Sequence, residues 1–458
     1  MASSPQEVLV ACREHDVKGV ALHVTDILGV WHRLTIPVSR LNEESFEDGF
    51  AWTLNGLGAR RGEVTDVLLL PQPGTAHIEP FTDLPTLSLL CAMHDPLTRD
   101  ELPEDPRTIA LKAEKYARES GVADETLFAL TVEFFLFDAP PHRRSAREPR
   151  RAREADPLGD VGMDNQRNAV RGLGVGLDDD FRNEIMHALL DCGVGVKSHR
   201  RSQSDRTKSS FELADASLIV SADHLMITKH VIKRLAERLG KSATFMPMPQ
   251  GGRQPAGLST RLSLIKHENC VLSGSGYAGL SDVGLHAIGG ILKHAAAIVA
   301  LTNSTTNSYA RLRASAGSLP QIAYSQNDLQ AAVRVPSHQS GRTKCLEFRP
   351  PDAASNPYLA FAALLMAAVD GIQNKVHPGP ALEPDPYQVG GSSTSYPHVP
   401  ASLEQALTAL EGDGEFLLRG DVLSPEVLEH WIEHKRMVDI QALRQQPHPY
   451  EIAAYYDC

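Results

Sequence analysis

Leu127-Phe-Ala-Leu-Thr-Val-Glu-Phe-Phe-Leu-Phe137 is the stretch from which the fold is read. Its near-continuous apolar character spells a β-strand with apolar residues on both faces. Immediately upstream, Asp105-Pro106 caps a helix running to Glu119, because Asp accepts from free N–H groups and Pro tolerates the first turn. A second, larger domain therefore starts at residue 104 and runs to 458. Downstream, His142 to Arg153 carries six Arg and one Pro without apolar periodicity and reads as a loop. A basic loop could hold a phosphate, but in an acidic protein a solvated insertion is the plainer reading.

Toward the N-terminus, Ser4-Pro5 opens a short helix, and Val20 to His23 and Val30 to Ile36 flank the turn Asp26-Ile-Leu-Gly29 as two strands. Val67 to Leu70 and Leu87 to Ala92, bounded by Pro71, Pro73 and Pro80, add strands to a small sheet that ends near Pro103. Toward the C-terminus, Ala216 to Leu239, Leu285 to Leu301 and Asn356 to Asn374 show helical spacing, with Pro357 in a first turn and Gly240 past an end. Val376 to Pro400 turns to Pro, Gly and Ser and reads as an irregular connection. Ser402-Leu-Glu-Gln405 fits a capping box, and Ser424-Pro425 starts another helix.

The 458 residues are 42% hydrophobic and 22% charged, which excludes disorder, collagen and coiled coil. A net charge of −12 argues against nucleic acid as a partner, since a phosphate-backbone binder needs the opposite sign. Cys12, Cys91, Cys192, Cys270, Cys345 and Cys458 are scattered without a C-x-x-C pair, which fits a reducing, cytoplasmic setting. The longest apolar run, Leu359 to Val369, is about half a membrane span, so no membrane association is expected.

Two short motifs point elsewhere and fail on chemistry. His430-Trp-Ile-Glu433-His434 matches the inverted zincin spacing, but no third ligand accompanies it, and Glu429 and Lys435 suit a solvated helix face. Gly252-Arg-Gln-Pro-Ala-Gly257-Leu258-Ser259 has phosphate-loop spacing, but Leu258 stands where the phosphate-binding Lys belongs and Pro255 removes a cradle N–H.

Several stretches in order resemble the bacterial type I glutamine synthetase family: Val132-Glu-Phe-Phe-Leu-Phe-Asp138, Lys241-Ser-Ala-Thr-Phe-Met-Pro-Met-Pro249, Asn307-Ser-Tyr-Ala-Arg-Leu312, Leu346-Glu-Phe-Arg-Pro-Pro-Asp352 running into Asn356-Pro-Tyr-Leu-Ala-Phe361, and Pro447-His-Pro-Tyr-Glu451. The resemblance implies an α+β fold. A small N-terminal β-grasp-like domain (1–103) precedes a large C-terminal glutamine-synthetase-type α/β domain (104–458) whose curved antiparallel sheet forms a funnel. It also implies a homo-oligomer, a hexamer or a dodecamer of two stacked rings, with active sites between subunits. The implied reaction uses ATP to turn the glutamate side chain into an acyl phosphate that an amine displaces. Two or three Mg²⁺ or Mn²⁺ ions neutralise the triphosphate.

At the positions that match the family's metal ligands this sequence departs from the pattern. Glu-x-Glu is Thr131-Val132-Glu133, and the next acidic segment reads His199-Arg200-Arg201-Ser202 and then Lys208-Ser209-Ser210-Phe211-Glu212. Glu212 falls two residues past the ligand position, about 7 Å along a strand. Gly-Ser-Gly-Met-His-x-His is Pro255-Ala-Gly-Leu-Ser259-Thr-Arg261. The flap glutamate falls at Gly317 or Ser318, one phosphate-side Arg falls at Asp328 or Leu329, and Ala51-Trp-Thr-Leu-Asn55 replaces the N-terminal Asp-Gly-Ser-Ser loop. Tyr387 lies in the loop that some family members carry modified.

Glu133 and Glu347 are the metal-ligand remnant; Arg311, Arg334 and Arg349 remain as catalytic candidates, or as anion-binding or salt-bridging residues. Arg200, Arg201 and Arg261 are new cations and candidate substrate-binding residues. ATP remains the implied co-substrate, while the ligand losses argue against a resident Mg²⁺. Arg261 is expected to pair with Glu133 or Glu347 and occupy the ion position, with Arg349 joining a buried ion-pair set. Two readings of function stay open. One is a divergent C–N bond-forming ligase of specialised metabolism acting on a small anionic or amino-acid-like substrate. The other is a catalytically inactive ring-forming scaffold or regulator, with co-assembly beside an intact paralogue.

Overall fold

The computed structural model describes residues 4–55, 64–137, 177–249, 254–314, 319–337, 344–383 and 396–445. The Arg-rich stretch 142–153, Gly252, Gly317 and Ser318, Tyr387, the 447–451 motif and Cys458 lie outside them.

Ser4 caps the opening helix Pro5–Glu14, accepting from Glu7 N–H at 3.3 Å. There follow β1 (Gly19–Thr25), β2 (Trp31–Pro37), β3 (Phe50–Asn55), β4 (Val64–Pro71), β5 (His77–Ile78) and β6 (Thr86–His94). They form one sheet in the order β2-β1-β6-β4-β3, with β5 also on β6. The β1–β6 pair is parallel and the others are antiparallel. Residues 51–55, expected to stand in place of a loop, are part of β3 and pair with β4.

The second sheet contains β7 (Glu125–Phe137), β8 (Val196–Arg201), β9 (Lys208–Leu213), β10 (Ala216–Ser217), β11 (Ser242–Thr244), β12 (Leu258–Lys266), β13 (Asn269–Cys270), β14 (Gln321–Ser325), β15 (Ala331–Arg334) and β16 (Leu346–Phe348). Its order is β14-β15-β16-β12-β7-β9-β8, with β10 and β11 on β7 and β13 on β12; only β14–β15 is parallel. β7 lies inside the sheet between β12 and β9, and its two faces differ, contrary to the reading that both are apolar. Phe128, Leu130, Val132 and Phe134 are buried, and Phe128 stacks on Phe361 at 5.2 Å. Ala129, Thr131 and Glu133 on the other face are only half-buried. That asymmetry places the site.

The helix Leu218–Arg238 and the Asn356-capped helix Pro357–Gln373 belong to the same core as the buried face of β7. Gly290 and Gly371 let the helix Asp282–Lys293 approach Pro357–Gln373 closely, for a Cβ on Gly290 would lie 2.1 Å from the Ala367 carbonyl oxygen. The expected helix 285–301 is two helices, Asp282–Lys293 and Ala295–Thr302, bent by 73°. The break is at His294, whose buried ring contacts Asp413 (2.8 Å) and Asp370 (2.9 Å) and stacks on Phe416. The Ser402 and Ser424 caps form as read, accepting from Gln405 and Val427 N–H groups. No single helix among the described residues is long and apolar enough to cross a membrane.

The two sheets are joined at a buried polar junction. Asn356 donates to the carbonyl oxygens of Asp26 (3.1 Å) and Ile27 (3.2 Å). Beside it, Trp31 stacks on His23 at 4.3 Å and meets His230 edge-on at 5.0 Å. Buried Glu79 faces His23 (3.6 Å), Arg33 (3.2 Å) and His230 (4.0 Å). Burial raises the Glu79 carboxyl, but His23 and Arg33 more than reverse this and it titrates below its ordinary range. Burial holds His23, His77 and His224 below the usual histidine range and pushes His230 down to about 3.

Acid should therefore loosen the fold. The unfolded chain protonates these histidines near pH 6.5 while the folded chain keeps them neutral, so their contribution is full above pH 7 and declines below about 6.5. Glu79 acts in the same direction, its contribution being lost as pH falls through its depressed folded value. The melting temperature is expected to be lower at pH 5.5 than at pH 7.5; an equal or higher value at pH 5.5 would refute this account.

Candidate functional site

Side chains alternate along a strand, and directly opposed residues of an antiparallel pair share a face. The registers Arg334↔Glu347, Glu347↔Arg261, Arg261↔Ala129, Ser259↔Thr131, Thr131↔Glu212 and Glu133↔Ser210 therefore set these residues on one face of the second sheet. Lys208 joins them from β9 and Arg200, opposite Ser210, from β8.

Three carboxylates on this face each meet a protein cation. Lys208 Nζ lies 3.0 Å from Glu133 Oε1 and also donates to the Pro255 carbonyl at 2.9 Å. Arg261 Nη2 donates to Glu212 Oε1 at 2.7 Å and reaches Thr131 Oγ1 at 3.3 Å. Arg334 Nη1 lies 3.5 Å from Glu347 Oε2, while Ser259 Oγ donates to Glu347 Oε1 at 2.9 Å. Burial raises the Glu212 carboxyl, but Arg261 outweighs it and holds the group below its usual range. Burial likewise lowers the Arg261 guanidinium, and Glu212 more than restores it.

Arg261 thus takes neither of its expected partners. Glu133 is engaged by Lys208 and by the Gly257 N–H at 2.8 Å, and Glu347 by Ser259 and Arg334. Glu212 stands opposite Thr131, within reach of the long Arg261 side chain. Arg349 does not join the ion pairs either: its Nη1 donates to the Leu329 carbonyl, and burial lowers its guanidinium.

The other expected residues separate. Arg200 is on the site face, its Nε donating to Ser210 Oγ at 3.3 Å. Arg201, one residue on, is carried by strand alternation to the opposite face and away from the site. Arg311 is buried on the helix Thr306–Ala314 and donates to the carbonyl oxygens of Pro350 and of Arg349 (3.3 Å), fastening the segment that follows β16. In this conformation its guanidinium packs on Gly257, where a Cβ would stand 2.5 Å from Arg311 Nη2 and make the guanidinium shift.

Lys208 and Ser259 were missed as participants, although the period-2 pattern Lys208, Ser210, Glu212 already put a cation and a carboxylate on one strand face. Each carboxylate is bridged to an ammonium or guanidinium, and no group of three His, Cys, Asp or Glu able to hold an ion occurs among the described residues.

Comparison with known proteins places this arrangement. The family model described as the glutamine synthetase catalytic domain matches residues 103–455, and that of the glutamine synthetase beta-Grasp domain matches 16–96. The chain is 38% identical to glutamine synthetase of Aquifex aeolicus over 99% of both chains, and 36% identical to that of Microchaete diplosiphon over 100% of both. Apo GmaS without ligand superposes with a TM-score of 0.80 at 28% identity, covering 98% of both chains. Plasmodium falciparum glutamine synthetase shares the fold, with a TM-score of 0.84 over 99% of both chains at 23% identity. With both domain models matched in order and relatives aligned along its whole length, the chain belongs to the glutamine synthetase family.

Proposed function

We propose that this chain is a family member that has exchanged the metal cluster for its own cations, and that it binds a small anionic or amino-acid-like ligand without running metal-dependent glutamine synthesis. The observation that carries this reading is the set of three cross-strand pairs, Lys208–Glu133, Arg261–Glu212 and Arg334–Glu347. Unit charges about 4 Å apart interact by about 4 kcal/mol at an effective dielectric near 20, and a divalent ion doubles the repulsion from each such cation. With Arg200 added, four cations stand around Glu133, Glu212 and Glu347, and this part of the face attracts an anion.

In this reading Arg334, Arg200 and Arg261 contact the ligand, Arg349 stands at the margin, and Arg311 positions the strand ends. Such a member acts as a ring-forming scaffold or regulator, as a hexamer or dodecamer or beside an intact paralogue; its full-length similarity to the family supports this assembly. The division between the domains falls after residue 103, supported by the ranges of the two family matches. A reducing, cytoplasmic location is supported by the free buried Cys12, Cys91, Cys192 and Cys270.

A second reading, a C–N bond-forming ligase, is favoured by the likeness to a GmaS/ADP complex, TM-score 0.81 at 27% identity. Calorimetric titration of the purified oligomer with ATP, with and without Mg²⁺, decides between them when ADP release is followed with glutamate and mixed amines. Absence of Mg²⁺-dependent binding and of ADP release is the expected result. Tight Mg²⁺-dependent binding with ADP release would overturn the cation-exchange reading and establish the ligase.

A further inference from the structure

A cavity of about 800 Å³ opens where the turn Gly29–Trp31 meets the helix Leu218–Arg238 and β11. Its walls are largely apolar, with Trp31, Met226, Phe245 and Met246 among them, and none of Glu133, Glu212 or Glu347 lines it. Two cations face into this space, Lys229 and Lys233, one helical turn apart. Lys229 Nζ donates to the Ser355 carbonyl at 3.2 Å, and Lys233 Nζ lies 5.9 Å from the centre of the Phe245 ring. Among the described residues neither ammonium has a carboxylate in salt-bridge contact.

Like charges four residues apart on a helix repel, and half-buried Lys229 has no counter-ion in contact, while Lys233 keeps solvent contact. Burial, and then the neighbouring Lys233, push Lys229 down to about 7; burial also lowers Lys233. Two cations held together against apolar walls form a site that an anion completes. The volume is that of a pocket for an organic molecule rather than a bare ion.

We propose that this cavity binds a small organic anion, a carboxylate or sulfonate on an aromatic or aliphatic body, with the acid group between Lys229 and Lys233 and the body against Trp31 and Phe245. The site is separate from the ion-paired face of the second sheet. Because one wall comes from each sheet's unit, an occupant ties the two together.

The probe is 8-anilinonaphthalene-1-sulfonate, titrated into the full-length oligomer and read by energy transfer from tryptophan. One saturable site per chain is expected, with the transfer largely lost in Trp31→Phe. N-phenyl-1-naphthylamine, which has the same ring system without the sulfonate, is expected to bind at least about tenfold more weakly. Lys229→Met with Lys233→Met should weaken the sulfonate by about tenfold or more. Lys229→Arg with Lys233→Arg should retain binding. Equal affinity for the charged and uncharged probes, transfer that survives Trp31→Phe, or no saturable site in the wild-type protein would each overturn the proposal. The two-probe comparison needs no variant to fold.

Discussion

Replacing Asp223 with alanine is expected to cost the fold about 3–5 kcal/mol, the range for breaking a buried ion pair from one side. Asp223, 4% exposed on the helix Leu218–Arg238, accepts from Arg107 Nε (3.2 Å) and Nη2 (2.9 Å) and from the Tyr358 hydroxyl (2.7 Å). Those partners belong to the helices Pro106–Glu119 and Pro357–Gln373, so one carboxylate fastens three helices. Burial lowers the Arg107 guanidinium, and Asp223 more than restores it, which is the charge the variant would strand. Tyr358→Phe should cost only about 1 kcal/mol, because it leaves the Arg107 pair in place. Urea unfolding followed by helical circular dichroism measures both. A loss under 1 kcal/mol in Asp223→Ala would mean that water reaches Arg107 and that the three-helix fastening is not what holds the core.

The second large effect is a gain of metal binding. Thr131 and Ser259 are directly opposed, and Ser259 Oγ already touches Glu347 Oε1 at 2.9 Å. Thr131→Glu, Ser259→His and Arg261→His together would set two carboxylates and an imidazole around one point and remove the nearest guanidinium. The local charge changes by two units toward the negative, so affinity for Mn²⁺ should rise at least about tenfold over the wild-type protein. Titration followed by the electron spin resonance of free Mn²⁺ reads this directly. Equal Mn²⁺ affinity in variant and wild type would overturn the proposal that the cross-strand cations keep an ion out.

Which residues share the candidate face was legible in the sequence, but not which of them meet. Ser259, Arg261 and the Glu133–Glu347 remnant stand on the site face as their motifs imply. Partner choice was not legible, because Arg261 and Glu212 are 49 residues apart in sequence and meet only through the registers β12–β7 and β7–β9. Arg201 shows the converse, since proximity in sequence to Arg200 counts for nothing when one residue turns a side chain to the other face.

Local chemistry determined where elements begin. The Asp105-Pro106, Asn356-Pro357 and Ser424-Pro425 caps open the helices read from them, because a capping oxygen and a proline ring act on their own neighbours. The apolar run of β7 announced a strand, but not which of its faces is covered. The bend at His294 came from Asp370 and Asp413, up to 119 residues away, and no periodicity in 285–301 announces it. By itself, then, the sequence determined the family and the order of elements. Tertiary structure alone decided which cation answers which carboxylate, and that Lys229 and Lys233 share a cavity wall with Trp31, because register and packing bring together groups that no local rule connects.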